Sequence, residues 1–242
     1  PLTLHSTSPG SPAVLENFTG NNAWNGPITL LAPDNAILVA SIPRPLALGG
    51  AISGPGGLRK LGEGTLTLNG PDANTYTGPT HVDEGSLVLN KPAGEAIHGD
   101  VTIGDGVGGA LADRLRVQGG GDNLRNGAVV TMAGSGQLLI DAVSEGIGAL
   151  NGSGVVTLTG AGSALVVGHD NLSSSYDGVI GGPGSVVKLG TGTFTVSQAQ
   201  AYTGPTVLSD GTLVANGSLA TSARILLNKP ANPGDAPHGV LA

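Results

Sequence analysis

The chain contains one long phrase twice. GPGGLRKLGEGTLTL, from Gly54 to Leu68, recurs as GPGSVVKLGTGTFTV, from Gly182 to Val196, at a spacing of 128 residues. Both copies keep Gly-Pro-Gly, then Lys-Leu-Gly-x-Gly-Thr, and then threonine alternating with apolar residues. A long internal repeat is typical of stacked architectures, in which each unit buries its apolar side against the next unit. The sequence therefore predicts a repeat fold.

The alignment of the two copies continues beyond this phrase. YTGPT at 76–80 recurs at 202–206, and LNKPA at 89–93 recurs at 227–231. The last spacing is 138 residues, so the second copy carries an insertion around 217–225. Insertions in repeat proteins map to loops on one face. We therefore expect this segment to form a surface loop.

The repeat also predicts the organisation of the chain. We expect one continuous solenoid over residues 1–242, with repeat copies at 51–104 and 179–242 and a spacer at 105–178. The second copy stops in mid-phrase at Ala242, where the first copy leads into another strand. An open sheet edge leaves unpaired backbone N–H and C=O groups. We therefore expect a segment of a longer array, or a subunit that associates end to end.

Short stretches of period two, separated by glycine, asparagine or aspartate, run through the whole chain. Such stretches are typical of short β-strands with tight corners. An antiparallel sandwich or barrel predicts a similar strand spacing, but the repeat favours a parallel β-helix. Coils of about 20 to 30 residues would give on the order of ten coils. At ~4.8 Å per coil, the rod would be roughly 50 Å long.

Composition fits a narrow core and excludes several classes of protein. The chain has 43 glycines, six aromatic residues and no cysteine, so it has neither disulfides nor thiolate metal sites. Its net charge is −7 and its ten basic residues are scattered, which excludes a nucleic-acid-binding face. No apolar stretch is long enough to span a membrane as a helix.

The stretch Gly56–Asn90, GGLRKLGEGTLTLNGPDANTYTGPTHVDEGSLVLN, resembles the autotransporter-associated β-strand repeat, and Ser185–Ser218 is a looser copy. That repeat marks the passenger regions of large secreted and surface proteins of bacteria. The resemblance implies a right-handed parallel β-helix and a stalk, adhesin or scaffold at the cell surface. It carries no catalytic residues that could be transferred to this chain.

Individual side chains can be assigned to positions in such a coil. We expect an inward, stacked row, an outward threonine pair and glycine corners. Asparagines just after strands are expected to form amide ladders, and two tyrosines are expected to pack over corners or, in a sharper reading, to stack on a sugar. The inward row is Leu58, Leu61, Leu66, Leu68, Val82, Leu87 and Leu89; the outward pair is Thr65 and Thr67; the corners are Gly62, Gly64, Gly78 and Gly85; the asparagines are Asn69, Asn90, Asn216 and Asn228; the tyrosines are Tyr76 and Tyr202.

Candidate chemistry is sparse. The stretch Gly104–Gly109 matches G-x-G-x-x-G, but nucleotide binding needs a helix N-terminus after it, and none is expected. Gly119–Asn123 is a poor relative of the calcium-binding glycine-aspartate repeat. His169 and Asp170 are adjacent, so in a strand they would face opposite ways and form no dyad. Acidic pairs that could serve a glycosidase are Asp83 with Glu84, Asp100 with Asp105, Asp141 with Glu145, and Asp170 with Asp177.

The sequence therefore predicts a non-enzymatic extracellular protein with no catalytic, cofactor-binding or metal-binding residues. Its first interpretation is a rigid stalk or filament-forming segment that associates end to end with neighbouring solenoid segments. The alternative is an adhesin module that binds a glycan or a host protein, and a polysaccharide-active enzyme is a remote third reading. We expect an extracellular or bacterial cell-surface location, with attachment to the outer membrane through another part of the protein.

Overall fold

The computed structural model describes residues 1–6, 13–120, 122–219, 221–227 and 239–241. These residues form 28 β-strands, numbered here in chain order, and no helix. Every strand pair among them is parallel, and the partners lie about one coil apart in sequence. Thr80, for example, pairs with Leu58 on one side and with Val101 on the other. The all-β parallel solenoid that the repeat predicted is confirmed.

Face 1 of the coil is one sheet that runs the length of the described chain. It contains eleven of the described strands, which corresponds to about ten coils. Its strands are β2 (Leu15–Asn17), β5 (Asn35–Val39), β8 (Leu58–Leu61), β10 (Thr80–Val82), β12 (Val101–Ile103), β14 (Val129–Met132), β17 (Ala149–Gly152), β20 (Ser174–Tyr176), β23 (Thr193–Val196), β26 (Gly211–Ala215) and β28 (Gly239–Leu241).

Face 2 is a second sheet, which takes nine of the described strands. Each of them follows the face 1 strand of its own coil after a corner of a few residues. Its strands are β3 (Asn22–Trp24), β6 (Leu46–Leu48), β9 (Thr65–Leu68), β11 (Gly85–Leu89), β13 (Asp113–Val117), β15 (Gly136–Ile140), β18 (Val155–Leu158), β21 (Val179–Gly182) and β24 (Ala201–Tyr202).

Face 3 consists of two sheets joined by side-chain hydrogen bonds. Asn74 bridges two coils, because its Oδ1 accepts from the Ile52 N–H at 2.9 Å and its Nδ2 donates to the Ala96 carbonyl at 2.8 Å. Ile97 then forms a parallel bridge with Leu124, which leads to the second sheet. The first sheet is β1 (Leu2–Leu4), β4 (Ile28–Leu30) and β7 (Ile52–Ser53); the second is β16 (Ser144–Ile147), β19 (Ala164–Val167), β22 (Ser185–Lys188), β25 (Thr206–Leu208) and β27 (Ile225–Leu227).

The core is a continuous column of branched aliphatic side chains along the axis. Strand alternation puts one side of each strand into this column, as in β9, where Leu66 and Leu68 are buried and Thr65 and Thr67 are half-buried on the outer side. The expected inward positions are confirmed for all but one residue of the row. The buried members are Leu58, Leu66, Leu68, Val82, Leu87 and Leu89.

Leu61 was wrongly placed in the core. In β8 the inward positions are Leu58 and Lys60, and Leu61 is half-buried on the outer side. Period-two alternation requires this result, because Leu58 and Leu61 are three residues apart and therefore face opposite ways. The inward residue at this corner is a lysine, and its role is described below.

The expected glycine corners have a clear steric basis at Gly62. Its φ is +79°, a conformation that side chains with a Cβ rarely adopt. A Cβ added there would lie 2.4 Å from the carbonyl oxygen of Val39, on the preceding coil. Close stacking of coils therefore requires glycine at this corner.

The two copies of the repeat occupy different faces. In copy one the phrase supplies β8 on face 1 and β9 on face 2, whereas in copy two it supplies β22 on face 3 and β23 on face 1. The same residues therefore form a corner at two different edges of the coil. The phrase encodes a corner module, and the number of faces between the two copies, which is not a whole number of coils, decides which edge it takes.

The insertion of copy two is also part of the coil, which corrects the expectation of a surface loop. Ser218 accepts from the Gln200 N–H at 2.7 Å and Arg224 accepts from the Thr206 N–H at 2.9 Å, so both pair with the preceding coil. Ile225 begins β27 and pairs with Thr206. In the described part of 217–225, the extra residues therefore belong to the coil, with Ser218 paired beside β24 of face 2 and Ile225 paired with β25 of face 3.

In the described part of the chain, no helix is long and apolar enough to cross a membrane.

Candidate functional site

The lysine of the Lys-Leu-Gly phrase caps the backbone of its corner. Lys60 is fully buried, and its Nζ donates to the carbonyls of Leu61 at 3.0 Å, Gly62 at 2.6 Å and Glu84 at 2.9 Å. Lys188 repeats the arrangement in copy two, donating to Leu189, to Gly190 at 2.7 Å and to Asp210 at 3.4 Å. Each lysine thus ties its own corner to the corner of the next coil. This role is structural, and the apolar period-two pattern does not indicate it, because the inward residue at this position is a lysine.

The two repeat tyrosines are core residues. Tyr76 and Tyr202 are buried, and their hydroxyls hydrogen-bond to the Oγ1 atoms of Thr80 at 2.7 Å and Thr206 at 2.6 Å. Their expected role as packing groups at a corner is confirmed. A sugar cannot stack on either ring in this structure, since both rings are covered.

The asparagines that were expected to bridge neighbouring coils do not do so in the described part of the chain, and other side-chain amides form these bridges. Asn90 and Asn216 are exposed, and Asn228 lies outside the described residues. Asn69 is half-buried, and its Oδ1 has no hydrogen-bond partner within the described part of the chain. The inter-coil amides are instead on face 3, as in Asn74, and at Gln200, whose Oε1 accepts from the Ile180 N–H at 2.8 Å.

Glu145 occupies the equivalent bridging position in the middle of face 3. Its side chain is fully buried, with Oε1 accepting from the Leu124 N–H at 2.8 Å and Oε2 from the Asn123 N–H at 3.2 Å. The pKa of Glu145 is raised to about 8, with burial as the main cause; the two N–H groups act to lower it, and the charges of Asp122 and Glu95 act to raise it. It replaces backbone pairing between two coils.

Three of the four acidic pairs do not form catalytic pairs. Asp141 accepts from Arg116 and from Thr159 Oγ1 at 2.6 Å on the outer side, whereas Glu145 points into the core. Asp170 accepts from the Leu172 N–H at 3.1 Å in a turn, and Asp177 is bound to Ser197 on another edge. Asp100 accepts from the Val129 N–H at 3.0 Å. Its predicted partner, Asp105, lines a pocket rich in acidic residues, and Asp100 does not line that pocket. The remaining pair, Asp83 with Glu84, belongs to that pocket.

The acidic pocket lies at the corner between faces 1 and 2 in copy one. It has a volume of about 470 Å³ and draws carboxylates from successive coils. It is lined by the glycine-rich loop that follows β12 and by the corner that Lys60 caps. The carboxylates are those of Glu63, Asp83, Glu84, Asp105 and Asp113, and the remaining lining residues are Ile42, Gly85, Ser86, Val107, Gly108, Leu111, Ala112 and Arg114.

The carboxylates of the pocket differ in how they are held. Asp83 accepts from Arg59 Nη1 at 2.6 Å, Glu84 accepts from the Gly62 N–H at 2.6 Å, and Asp105 accepts from the Val107 N–H at 2.8 Å. Asp113 is only 1% exposed, and its Oδ2 has no hydrogen-bond partner among the described residues. The pocket thus contains a buried carboxyl oxygen with an unmet hydrogen-bonding capacity.

Burial and mutual repulsion disfavour the ionised forms of these aspartates. Burial raises the pKa of Asp113; Ser135 and the backbone N–H of Asp105 lower it, and the charges of Asp105 and Asp83 raise it. Burial also raises the pKa of Asp83, which Arg59 lowers and Asp105 raises. Burial lowers the pKa of Lys60 to about 8, although the charges of Glu84 and Asp113 raise it.

The other sequence candidates lack the geometry that their chemistry needs. Gly104–Gly109 leads into strand β13, so no helix N-terminus follows it. His169 and Asp170 lie in a turn and not in a strand as supposed. In the weak calcium candidate, Gly121 is outside the described residues and Asn123 is buried. No group of three or more His, Asp or Glu side chains within the described ranges could hold a metal ion.

A known family of protein repeats matches the region of the repeat phrase in both copies. The family model described as passenger-associated-transport-repeat matches residues 58–89 and 186–215. The chain is 34% identical over 261 residues to the "Adhesin BmaC autotransporter" of Brucella suis biovar 1 (strain 1330). That alignment covers 78% of this chain and 8% of the adhesin, so the chain spans a small part of the relative's length. No solved structure gives a significant match.

Proposed function

Because this chain carries autotransporter passenger repeats and forms a surface passenger β-helix, we propose that it acts as a rigid structural rod. The observation that supports this role is the eleven-stranded face 1, which runs through the described chain from β2 to β28. A single uninterrupted column of core residues joins the coils, so bending the rod would break backbone pairing. About ten coils at ~4.8 Å each would give a spacer of roughly 50 Å.

The rod is proposed to be one continuous solenoid within a longer array, with copies at 51–104 and 179–242 and a spacer at 105–178. The small share of the adhesin that the chain matches supports this placement. Neighbouring segments would pair end to end through the open backbone groups of their terminal coils. The rod would stand outside the cell, attached to the outer membrane through another part of the protein, and would carry out no catalysis.

Negative-stain electron microscopy over a concentration series tests the rod and its association. Isolated rods of about 50 Å at low concentration, growing into unbranched fibres of uniform width, would support both parts of the proposal. Isolated rods at every concentration would support a spacer and reject end-to-end pairing of this segment. Round or irregular particles would reject the rod itself.

A second candidate function is adhesion, and the printed name of the relative favours it. On this reading the outer side of the rod would hold a glycan or a host protein. Both repeat tyrosines are buried, so recognition would rest on other surfaces. A glycan array with the purified chain separates the two functions, because a selective signal favours adhesion and a blank array at high protein concentration favours the spacer.

A further inference from the structure

The glycine-rich loop, residues 104–112, is longer than the corners on either side of it. It joins β12 of face 1 to β13 of face 2 with nine residues, whereas the corners of the coils directly before and after it, 83–84 and 133–135, take two and three. Strand β13 nevertheless pairs in register with β11 and with β15. The additional residues are therefore not needed to pass from one face to the next.

The middle of this loop projects from the rod. Residues 105–110 form a run of six exposed positions. A Cβ added at Gly106 or Gly109 would have no atom within 4 Å, in contrast to the 2.4 Å contact at Gly62. Val107, between these two glycines, is 69% exposed. An approaching macromolecule can therefore reach the backbone of this stretch.

The second half of the loop is weakly held. Its first half is anchored, because the Gly104 N–H donates to the Val82 carbonyl at 2.8 Å. The Gly106 N–H likewise donates to Ser135 Oγ at 3.0 Å. From 108 to 112, by contrast, no backbone N–H donates to another coil in the described chain. Local opening of this stretch thus breaks few hydrogen bonds and costs little free energy.

Exposure alone does not distinguish the loop, because the corner at 40–45 also carries an exposed aliphatic side chain, Ile42, at 72%. That corner is held in place, since Asn17 Nδ2 donates to the carbonyls of Arg44 at 3.0 Å and Pro45 at 3.3 Å. Its two prolines also restrict its backbone. The glycine-rich loop contains no proline, and its second half lacks such hydrogen bonds. Exposed loop tips of this kind are the preferred positions of proteolytic cuts.

The strands on both sides of the loop are held independently of it. Strand β12 pairs with β10 and β14, and β13 pairs with β11 and β15. If the chain were cut in the loop, the pairs β12–β14 and β11–β13 would join the two pieces. The core column would also remain continuous across the cut. Such a cut therefore leaves the rod assembled.

The residue types of the loop indicate which class of enzyme fits it. Val107 and Ala110 are small aliphatic residues, which an endopeptidase with a small apolar specificity pocket accepts. The first basic residue after the loop, Arg114, lies within β13, whose backbone is paired on both sides. Trypsin-like specificity therefore fits this part of the chain poorly.

We propose that residues 105–110 are a processing site for an endopeptidase of small aliphatic specificity, and that the rod stays assembled after the cut. Hydrolysis of the peptide bond after Val107 or Ala110 consumes one water and leaves a new carboxylate and a new amine in solvent. This inference goes beyond the rod, because it describes a two-piece form of the passenger that only the pairing and packing of coils hold together.

Limited digestion with pancreatic elastase, followed by mass spectrometry, tests the proposal. We expect the first cut between residues 13 and 219 to fall after Val107 or Ala110. The nicked chain should elute from a size-exclusion column with the uncut chain, keep its far-UV circular dichroism, and separate into two fragments only in urea. A first cut at another position in this range, or two fragments that elute separately without urea, would overturn the proposal.

A double variant, Val107→Glu with Ala110→Glu, provides the matched test. It places a charge where the enzyme requires a small apolar side chain, and should slow the cut about tenfold or more. Both side chains are exposed, so the fold should be unchanged. Ile42→Glu is the control, since it makes the same change in the corner at 40–45, and it should be cut at the rate of the unaltered chain. Equal rates for all three proteins would contradict the assignment of the site.

Discussion

Glu145 should make the stability of this rod fall as pH rises. Burial raises its pKa to about 8 in the folded chain, from an ordinary value of 4.5. Between these two values the folded chain binds a proton that the unfolded chain has released. Folding is then favoured by low pH, and the free energy of unfolding falls by about 1.4 kcal/mol per pH unit. Over the whole window the loss is about 5 kcal/mol.

The structure explains why the groups around Glu145 do not reverse this loss. The carboxyl group meets two backbone N–H groups, of Leu124 and Asn123, which favour the ionised form. The charged side chains around it, Asp122 and Glu95, are acidic and oppose ionisation. No ion pair to Glu145 occurs among the described residues, so burial decides the direction.

The assay is urea unfolding followed by far-UV circular dichroism from pH 5 to pH 9, with Glu145→Gln as the test variant. Glutamine has no charge to bury, so the unfolding free energy of the original chain minus that of the variant should fall steadily as pH rises, and the variant should gain relative stability. Groups that titrate in both proteins cancel in this difference. Glu16→Gln controls for the loss of one exposed carboxylate. Parallel pH profiles for the original chain and Glu145→Gln would refute the reasoning.

Three further substitutions test the corner and the core by urea unfolding. Lys60→Met keeps the aliphatic stem but leaves three carbonyls without their donor, and should cost about 3 kcal/mol; an unchanged midpoint would contradict the capping role. Tyr202→Phe removes the hydrogen bond to Thr206 and should cost about 1 kcal/mol, whereas a gain in stability would show that the bond does not contribute. Gly62→Ala should lower the free energy of unfolding more than Gly106→Ala. Both glycines have a positive φ, +79° and +85°, but only at Gly62 would the added Cβ meet the backbone of the neighbouring coil. Equal losses of stability would show that the contact between coils plays no part.

The repeat and the period-two stretches were sufficient to predict a parallel solenoid, because both follow from local pattern. The expectation for Leu61 is wrong because apolar character alone predicts a core position, whereas alternation from the inward Leu58 places Leu61 on the outer side of β8. The period-two pattern of apolar residues does not indicate that Glu145 is buried, because an acidic residue at an inward position interrupts that pattern. The acidic pocket could not be predicted from the sequence either, because Asp83, Asp105 and Asp113 come together only when the coils are stacked.

The placement of the two copies on different faces explains how such a chain can vary without losing its fold. The corner phrase satisfies its own backbone: Lys60 and Lys188 each donate to carbonyls one and two residues ahead and to one carbonyl on the next coil. These contacts depend on the corner and not on which two faces meet there. The insertion at 217–225 also pairs with the preceding coil in its described part, so extra residues can enter the coil without loss of backbone pairing. A rod built in this way can present a distinct outer surface at each copy, and the acidic pocket of copy one is an example.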